Sequence, residues 1–226
     1  MLELLSGPLF KISLLVFTVG LIYRLVQYVR GLDWRLERVA YAYMGKAGVL
    51  GAIWSVLTWM LPFGTRGWRT QGFATIAFFF FHLGVVLCPL FLAGHMVFMK
   101  DALGFSFPSL SVAAGDVFAL LGLLGGFMLL ARRITLPQVR FLTDRKDIAI
   151  LALCLFTLAT GLIARFDLFA YDFMLGLHML SGEVILVLAP FTKLSHMALF
   201  FASRAQLGID YAVKRGGASR GPAFPW

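Results

Sequence analysis

A chain of 226 residues that is 60% hydrophobic, with 23 Phe and only 14% charged residues, is too apolar for an ordinary soluble domain, and its mean hydropathy of +0.87 says the same. The formal net charge of +9 does not point to nucleic acid, because the basic residues fall in short loops between long apolar runs, the pattern of membrane topology. The N-terminal apolar run reads as a span and not as a cleaved signal, since Gly7 to Val29 is long enough to cross a bilayer and no cleavage site follows it.

In chain order, five segments are long enough to cross roughly 30 Å of hydrocarbon: approximately residues 7–29, 73–98, 113–131, 148–164 and 173–201. A sixth apolar stretch, Ala47–Phe63, is shorter, is interrupted by Gly48, Gly51 and Pro62, and carries Trp54 and Trp59. Charge decides its status. The loop 132–147 holds Arg132, Arg133, Arg140, Arg145 and Lys146, so it belongs on the cytoplasmic side. With five spans, the basic stretches 30–46 and 64–71 and the region from Arg204 onward share that side, which leaves Lys100 and Arg165 for the outer loops. A sixth span would put 30–46 and 64–71 on opposite sides. Ala47–Phe63 is therefore expected to be an interfacial or re-entrant helix on the inner face, with its tryptophans at headgroup depth.

The expected fold is all-α and integral to the membrane, a five-transmembrane-helix bundle with an additional helix near 47–63. Residues 1–202 form the membrane domain and 203–226 a cytoplasmic tail, with the N-terminus periplasmic and the multi-pass chain in a bacterial inner membrane. The stretch Lys214–Trp226, rich in Gly, Ser, Arg and Pro, is expected to be disordered or to clamp onto a partner. Cys88 and Cys154 lie mid-span, and no CxxC or CxxCH occurs; the chain is expected to hold neither an iron–sulfur cluster nor covalently attached haem.

All four histidines, His82, His95, His178 and His196, fall inside two of the apolar segments. Ionisable groups at bilayer depth are costly and by default functional. The second and fifth spans run antiparallel, so His82 lies level with His196 and His95 level with His178. On the last span, eighteen residues make about five turns, so His178 and His196 share a face about 27 Å apart along the axis. On the second span, thirteen residues leave His95 about 140° from His82 on an ideal helix. Pro89 lies between them and points to a local distortion. Two antiparallel imidazole pairs with no histidine left over favour two six-coordinate haems over interhelical hydrogen bonds or a proton relay. Only one carboxylate, Glu183, lies well inside a span, which fits a proton path poorly. Gly84, Gly94, Gly176 and Gly182 read either as room for a porphyrin or as ordinary helix packing, as do Gly122 and Gly126.

At these residues the chain resembles the nitrate reductase gamma-subunit family of five-span, dihaem cytochromes b. The resemblance is carried by Phe81–Gly84 (FHLG), Gly94-His95, Leu129–Arg140 (LLARRITLPQVR), Asp147–Leu153 (DIAILAL), Leu177–Met179 (LHM) and Pro190–His196 (PFTKLSH). It implies four metal-binding residues, the axial ligands of two haem b irons: His82 and His196 at the inner haem, His95 and His178 at the outer one. Two departures stand out. The spacing between the histidines of the second span is longer here than in the family. The family's quinol site also uses a lysine in the loop before the third span, whereas Asp101–Val112 has none and Lys100 is the nearest substitute. Within this family the chain is most similar to the cytochrome b subunits of sulfate-reducer transmembrane redox complexes, those that accompany the high-molecular-weight multihaem cytochrome c. That likeness implies anaerobic sulfate respiration, a periplasmic multihaem cytochrome c with other membrane subunits, and a cytoplasmic iron–sulfur subunit like that of heterodisulfide reductase.

The expected function is therefore transmembrane electron transfer through two bis-histidine b haems, with no autonomous active site in this chain. The basic loop Arg132–Lys146 either docks the cytoplasmic partner and neutralises propionates or merely marks topology. One alternative is a quinol-oxidising or quinone-reducing anchor, with menaquinone near Gly94, His95 and Lys100. A rival of another class is a haem-free membrane scaffold or ion carrier.

Overall fold

The computed structural model describes residues 2–32 and 45–214. Among the described residues the principal helices are α1 (Leu2–Gly31), α2 (Gly45–Met60), α3 (Gly72–Phe91), α4 (Ala93–Leu103), α5 (Val112–Thr135), α6 (Arg145–Arg165), α7 (Tyr171–Leu188) and α8 (His196–Lys214). Among the described residues, five stretches are long and apolar enough to cross a membrane: α1, α3, α5, α6, and α7 extended to Phe191. The apolar helix α2 is shorter, as expected. The chain is a multi-pass membrane protein.

Burial runs opposite to that of a water-soluble domain. Large apolar side chains such as Leu15 (63% exposed), Ile22 (57%), Phe127 (57%) and Leu120 (53%) face outward, while the buried positions include Ser13, Thr75, Ala77, Thr160 and Ser181. Lipid tails solvate leucine as well as another leucine does, so the helices gain by bringing small residues into close contact.

Two compact units form. The first contains the described residues of Met1–Phe17 and Phe73–Leu188, the second those of Thr18–Gly72 and Ala189–Trp226. In the first unit α5 packs on the middle of α3, and α6 packs on both α5 and α7. At the α3–α5 crossing, a methyl group on Gly84 would lie 2.7 Å from the Gly122 Cα, and the reverse distance is the same. Only a pair of glycines lets these backbones meet. Ser111 caps α5 by accepting from the Ala114 amide at 3.3 Å. Asp144 and Asp147 form a reciprocal capping box at the start of α6, with bonds of 2.8 and 3.3 Å. In the second unit α2 lies against α8, at a crossing where a Gly51 methyl would stand 2.3 Å from the Gly208 carbonyl oxygen. Arg204 of α8 covers the Trp59 ring at 4.4 Å.

Three features refine or correct the expected elements, the first of them at the distortion expected near Pro89. The second span is not one helix to residue 98. Leu83–Leu87 form a π turn, Cys88–Phe91 resume α geometry, and Leu92 is extended at ψ 135° before α4 begins. Pro89 has no amide hydrogen and its ring crowds the carbonyl four residues back, so the preceding turn widens. The last span also stops early: α7 ends at Leu188, and 3₁₀ turns at Ala189–Phe191 and Lys193–Ser195 lead to His196. Pro190 and the Thr192 side chain, which accepts from the Leu194 amide at 3.3 Å, account for that break. His178 and His196 thus do not lie on one continuous helix, and five straight turns do not measure their separation. Finally, residues 203–214 are helical within α8, although the sequence read them as tail; 215–226, where the tail was expected to be disordered or partner-bound, lie outside the described residues.

Candidate functional site

The break in the second span decides where His95 goes. Because Leu92 is extended, His95 comes to the third position of α4 and turns back, so that its Nδ1 donates to the Cys88 carbonyl at 2.9 Å. The carbonyl of Phe91, freed by the same break, accepts from the Leu110 amide at 2.8 Å. On α7, His178 Nδ1 donates to the Thr157 carbonyl of α6 at 2.9 Å. Gly161, one turn farther along α6, makes room for that ring: a methyl there would stand 2.8 Å from Cε1 and 2.9 Å from Nδ1 of His178.

These anchors bring His95 and His178 together. Their rings are 7° from parallel, with centroids 5.8 Å apart, and their Nε2 atoms face each other at 3.5 Å. A carbonyl can only accept, so each Nδ1 carries the hydrogen and each neutral ring presents an Nε2 lone pair to the other. Two lone pairs at 3.5 Å repel unless a Lewis acid or a shared proton lies between them. Two metal–imidazole bonds of roughly 2.0–2.1 Å require about 4 Å, so a slight opening of the pair admits a metal ion. Among the described residues no group of three or more His, Cys, Asp or Glu side chains gathers to hold a metal. His95 and His178 would hold a metal ion by two imidazole nitrogens, a donor set that fits the iron of a haem.

His82 and His196 show the same tautomer. His82 Nδ1 donates to the Phe78 carbonyl at 2.7 Å, and the Phe78 ring lies 3.9 Å from the imidazole. His196 Nδ1 donates to the Lys193 carbonyl at 2.7 Å. Each bond places the lone pair on Nε2, as a ligand imidazole held by a backbone carbonyl requires. His82 belongs to the first unit and His196 to the second.

The glycines divide between their two readings. Gly84 and Gly122 serve helix packing, whereas a methyl added at Gly94 or Gly182 would have nothing within 4 Å, so these two border open space. Gly94 and Lys100 are both exposed on α4, on the same helix as His95. Cys88 and Cys154 are buried free thiols. Sequence reasoning missed Gly161 and the carbonyls of Phe78, Cys88, Thr157 and Lys193. A glycine inside a helix facing a histidine-bearing span was the one visible signal, and backbone acceptors leave none.

Residues 70–169 match the family described as nitrate reductase gamma subunit. This stretch includes His82 and His95; His178 and His196 lie beyond it. A chain of Nitratidesulfovibrio vulgaris (strain Hildenborough), described only as a protein, is 52% identical over 226 residues, all of both chains. No solved structure matches at a significant level.

Proposed function

We propose that this chain, which belongs to the nitrate reductase gamma subunit family, is the electron-conducting subunit of a respiratory complex in a bacterial inner membrane. His95 and His178 hold an outer haem b, and His82 and His196 an inner one. The observation that carries this reading is the His95–His178 pair, with each Nδ1 committed to a carbonyl and the two Nε2 atoms opposed at 3.5 Å. When bound, haem with two imidazole ligands exchanges single electrons and has no open position for oxygen chemistry. The chain's own residues do the rest. The carbonyls of Cys88 and Thr157 hold the rings in orientation and raise the basicity of their Nε2 atoms. Gly161 gives His178 its place, and the surrounding apolar spans exclude water.

Electrons enter from a periplasmic donor, a multihaem cytochrome c or a quinol, and leave to a cytoplasmic iron–sulfur subunit like that of heterodisulfide reductase, as in anaerobic sulfate respiration. The N-terminus is periplasmic and the C-terminus cytoplasmic, because the basic loop between α5 and α6 belongs inside. Residues 1–202 remain the proposed membrane domain and 203–226 the cytoplasmic region. A second reading, a menaquinone site beside His95, is supported by the open space at Gly94, with Lys100 on the same helix. A menaquinol analogue that slows haem reduction in the wild type, and less in Gly94→Leu, would support it.

Reduced-minus-oxidised spectra of His95→Ala and His178→Ala in the assembled complex test the main reading. Each variant is expected to lose the same one of two b haems. Retention of both haems by either variant would overturn the assignment.

A further inference from the structure

Five residues beyond His178 on α7, about 7.5 Å farther along the helix axis, stands a carboxyl group with nothing to bond. Glu183 is 6% exposed, and both of its oxygens, Oε1 and Oε2, are buried with no hydrogen-bond partner among the described residues. Ser181, the other buried polar side chain of α7, is committed to the His178 carbonyl at 3.0 Å. The elements packed on α7 are α6 and the N-terminal turn Leu5–Leu9. The bond from His178 to Thr157 and the short connection between the helices set the register of α6, so Glu183 lies level with residues 151–155, where Leu151, Cys154 and Leu155 are buried. Cys154, a free thiol, is the titratable group at that level. The charged groups of α6 lie at its ends. Arg145 and Lys146 are exposed, Asp147 faces Arg133 at 3.8 Å, and Arg165 faces Asp116 at 3.2 Å. The turn Leu5–Leu9 has no titratable side chain, and Glu3 and Lys11 on either side of it are exposed, as are Tyr171 and Asp172 at the start of α7. No cation of these elements stands level with Glu183.

We propose that Glu183 is the proton-binding partner of the His95–His178 centre: its carboxyl is ionised while that centre is oxidised and takes up a proton from water when an electron arrives there. The proposal rests on the electron-transfer reading above. A bare carboxylate in an apolar span is costly and marks a functional group. The positive charge that can answer it from this distance is that of an oxidised metal held by the two imidazoles, since charges in a low dielectric act well beyond hydrogen-bond range. Reduction removes that charge, and a proton on Glu183 removes the charge opposite it. In the step, one electron from the donor enters the centre, one proton binds at Oε1 or Oε2, and the new O–H bond is the only bond formed. Reoxidation returns the proton to water. A single carboxyl of this kind is a proton-binding site and not a path across the bilayer.

The test is a redox titration of the outer haem in the assembled complex at several pH values, with infrared difference spectra of the same samples. Because the reduced form holds one more proton, the wild-type midpoint potential is expected to fall as pH rises. Reduction should also add the carbonyl stretch of a protonated carboxyl, and this band should shift in D2O. Glu183→Gln keeps the shape and cannot titrate, so it should flatten the pH dependence and lose the band, while Glu183→Asp should keep both. A wild-type potential that does not move with pH would overturn the proposal without recourse to any variant. So would a pH dependence or a band that survives unchanged in Glu183→Gln. Haem b measured on the same samples separates the two claims: its absence contradicts the electron-transfer reading, while haem present with a pH-independent potential contradicts only the role of Glu183.

Discussion

At position 161 the side chain is a hydrogen atom because the His178 ring takes the space: a methyl would approach Cε1 to 2.8 Å. Gly161→Val should push the imidazole off its Thr157 carbonyl and turn Nε2 away from His95. The expected result is loss of more than half of the outer haem signal with membrane insertion unchanged. Gly7→Ala, where nothing lies within 4 Å, should leave the spectrum intact. An unaltered spectrum in Gly161→Val would show that the glycine is not what places His178. The four histidines were legible in the sequence because they are few and all fall in long apolar runs, although His95 and His196 lie just beyond the helices long and apolar enough to span. Their supports were not. The acceptors are backbone carbonyls of Phe78, Cys88, Thr157 and Lys193, which every residue carries, so residue identity holds no trace of them.

The break in the second span shows what spacing can and cannot tell at the scale of one element. A separation of thirteen positions from His82 to His95 is incompatible with one face of a straight helix, and Pro89 marked the place of the distortion. Its form, a π turn followed by an extended Leu92, depends on how α5 and the following loop take up the freed backbone groups. Pro89→Ala restores an amide donor and lets a regular helix compete; one residue of register turns a side chain by about 100°. Outer haem occupancy should fall by at least half, and normal occupancy would mean that the break forms without the proline. The stop at Leu188 was not legible, because hydropathy continues through Pro190 to Phe201 while the backbone does not. The capping box of α6 offers a test independent of haem. Asp144→Ala removes the side chain that caps the first turn and should cost about 1 kcal/mol, read as a drop of a few degrees in the melting midpoint. No change would show that packing of α6 against its neighbours dominates its start.

For the molecule as a whole, the presence of five long apolar helices was legible from hydropathy, since the bilayer imposes length and composition on each span by itself, though the second and the last end earlier than hydropathy placed them. The pairing of α2 with α8 was not read. Arg204, Asp210 and Lys214 make residues 203–214 look like a solvated tail, and the Gly51–Gly208 approach that joins the two helices is invisible until both are placed. His95 and His178 face each other with Nε2 atoms 3.5 Å apart, and this pair carries the proposed function. The proposed pairing of His82 with His196 rests on their shared tautomer. The most direct measurement is a pyridine haemochrome assay with a reduced-minus-oxidised spectrum on the purified native complex, resolved by subunit. The account predicts two b-type haems on this chain, one lost with either His95→Ala or His178→Ala and the other with either His82→Ala or His196→Ala. No haem b on this chain, or a loss that does not follow these pairs, would contradict it.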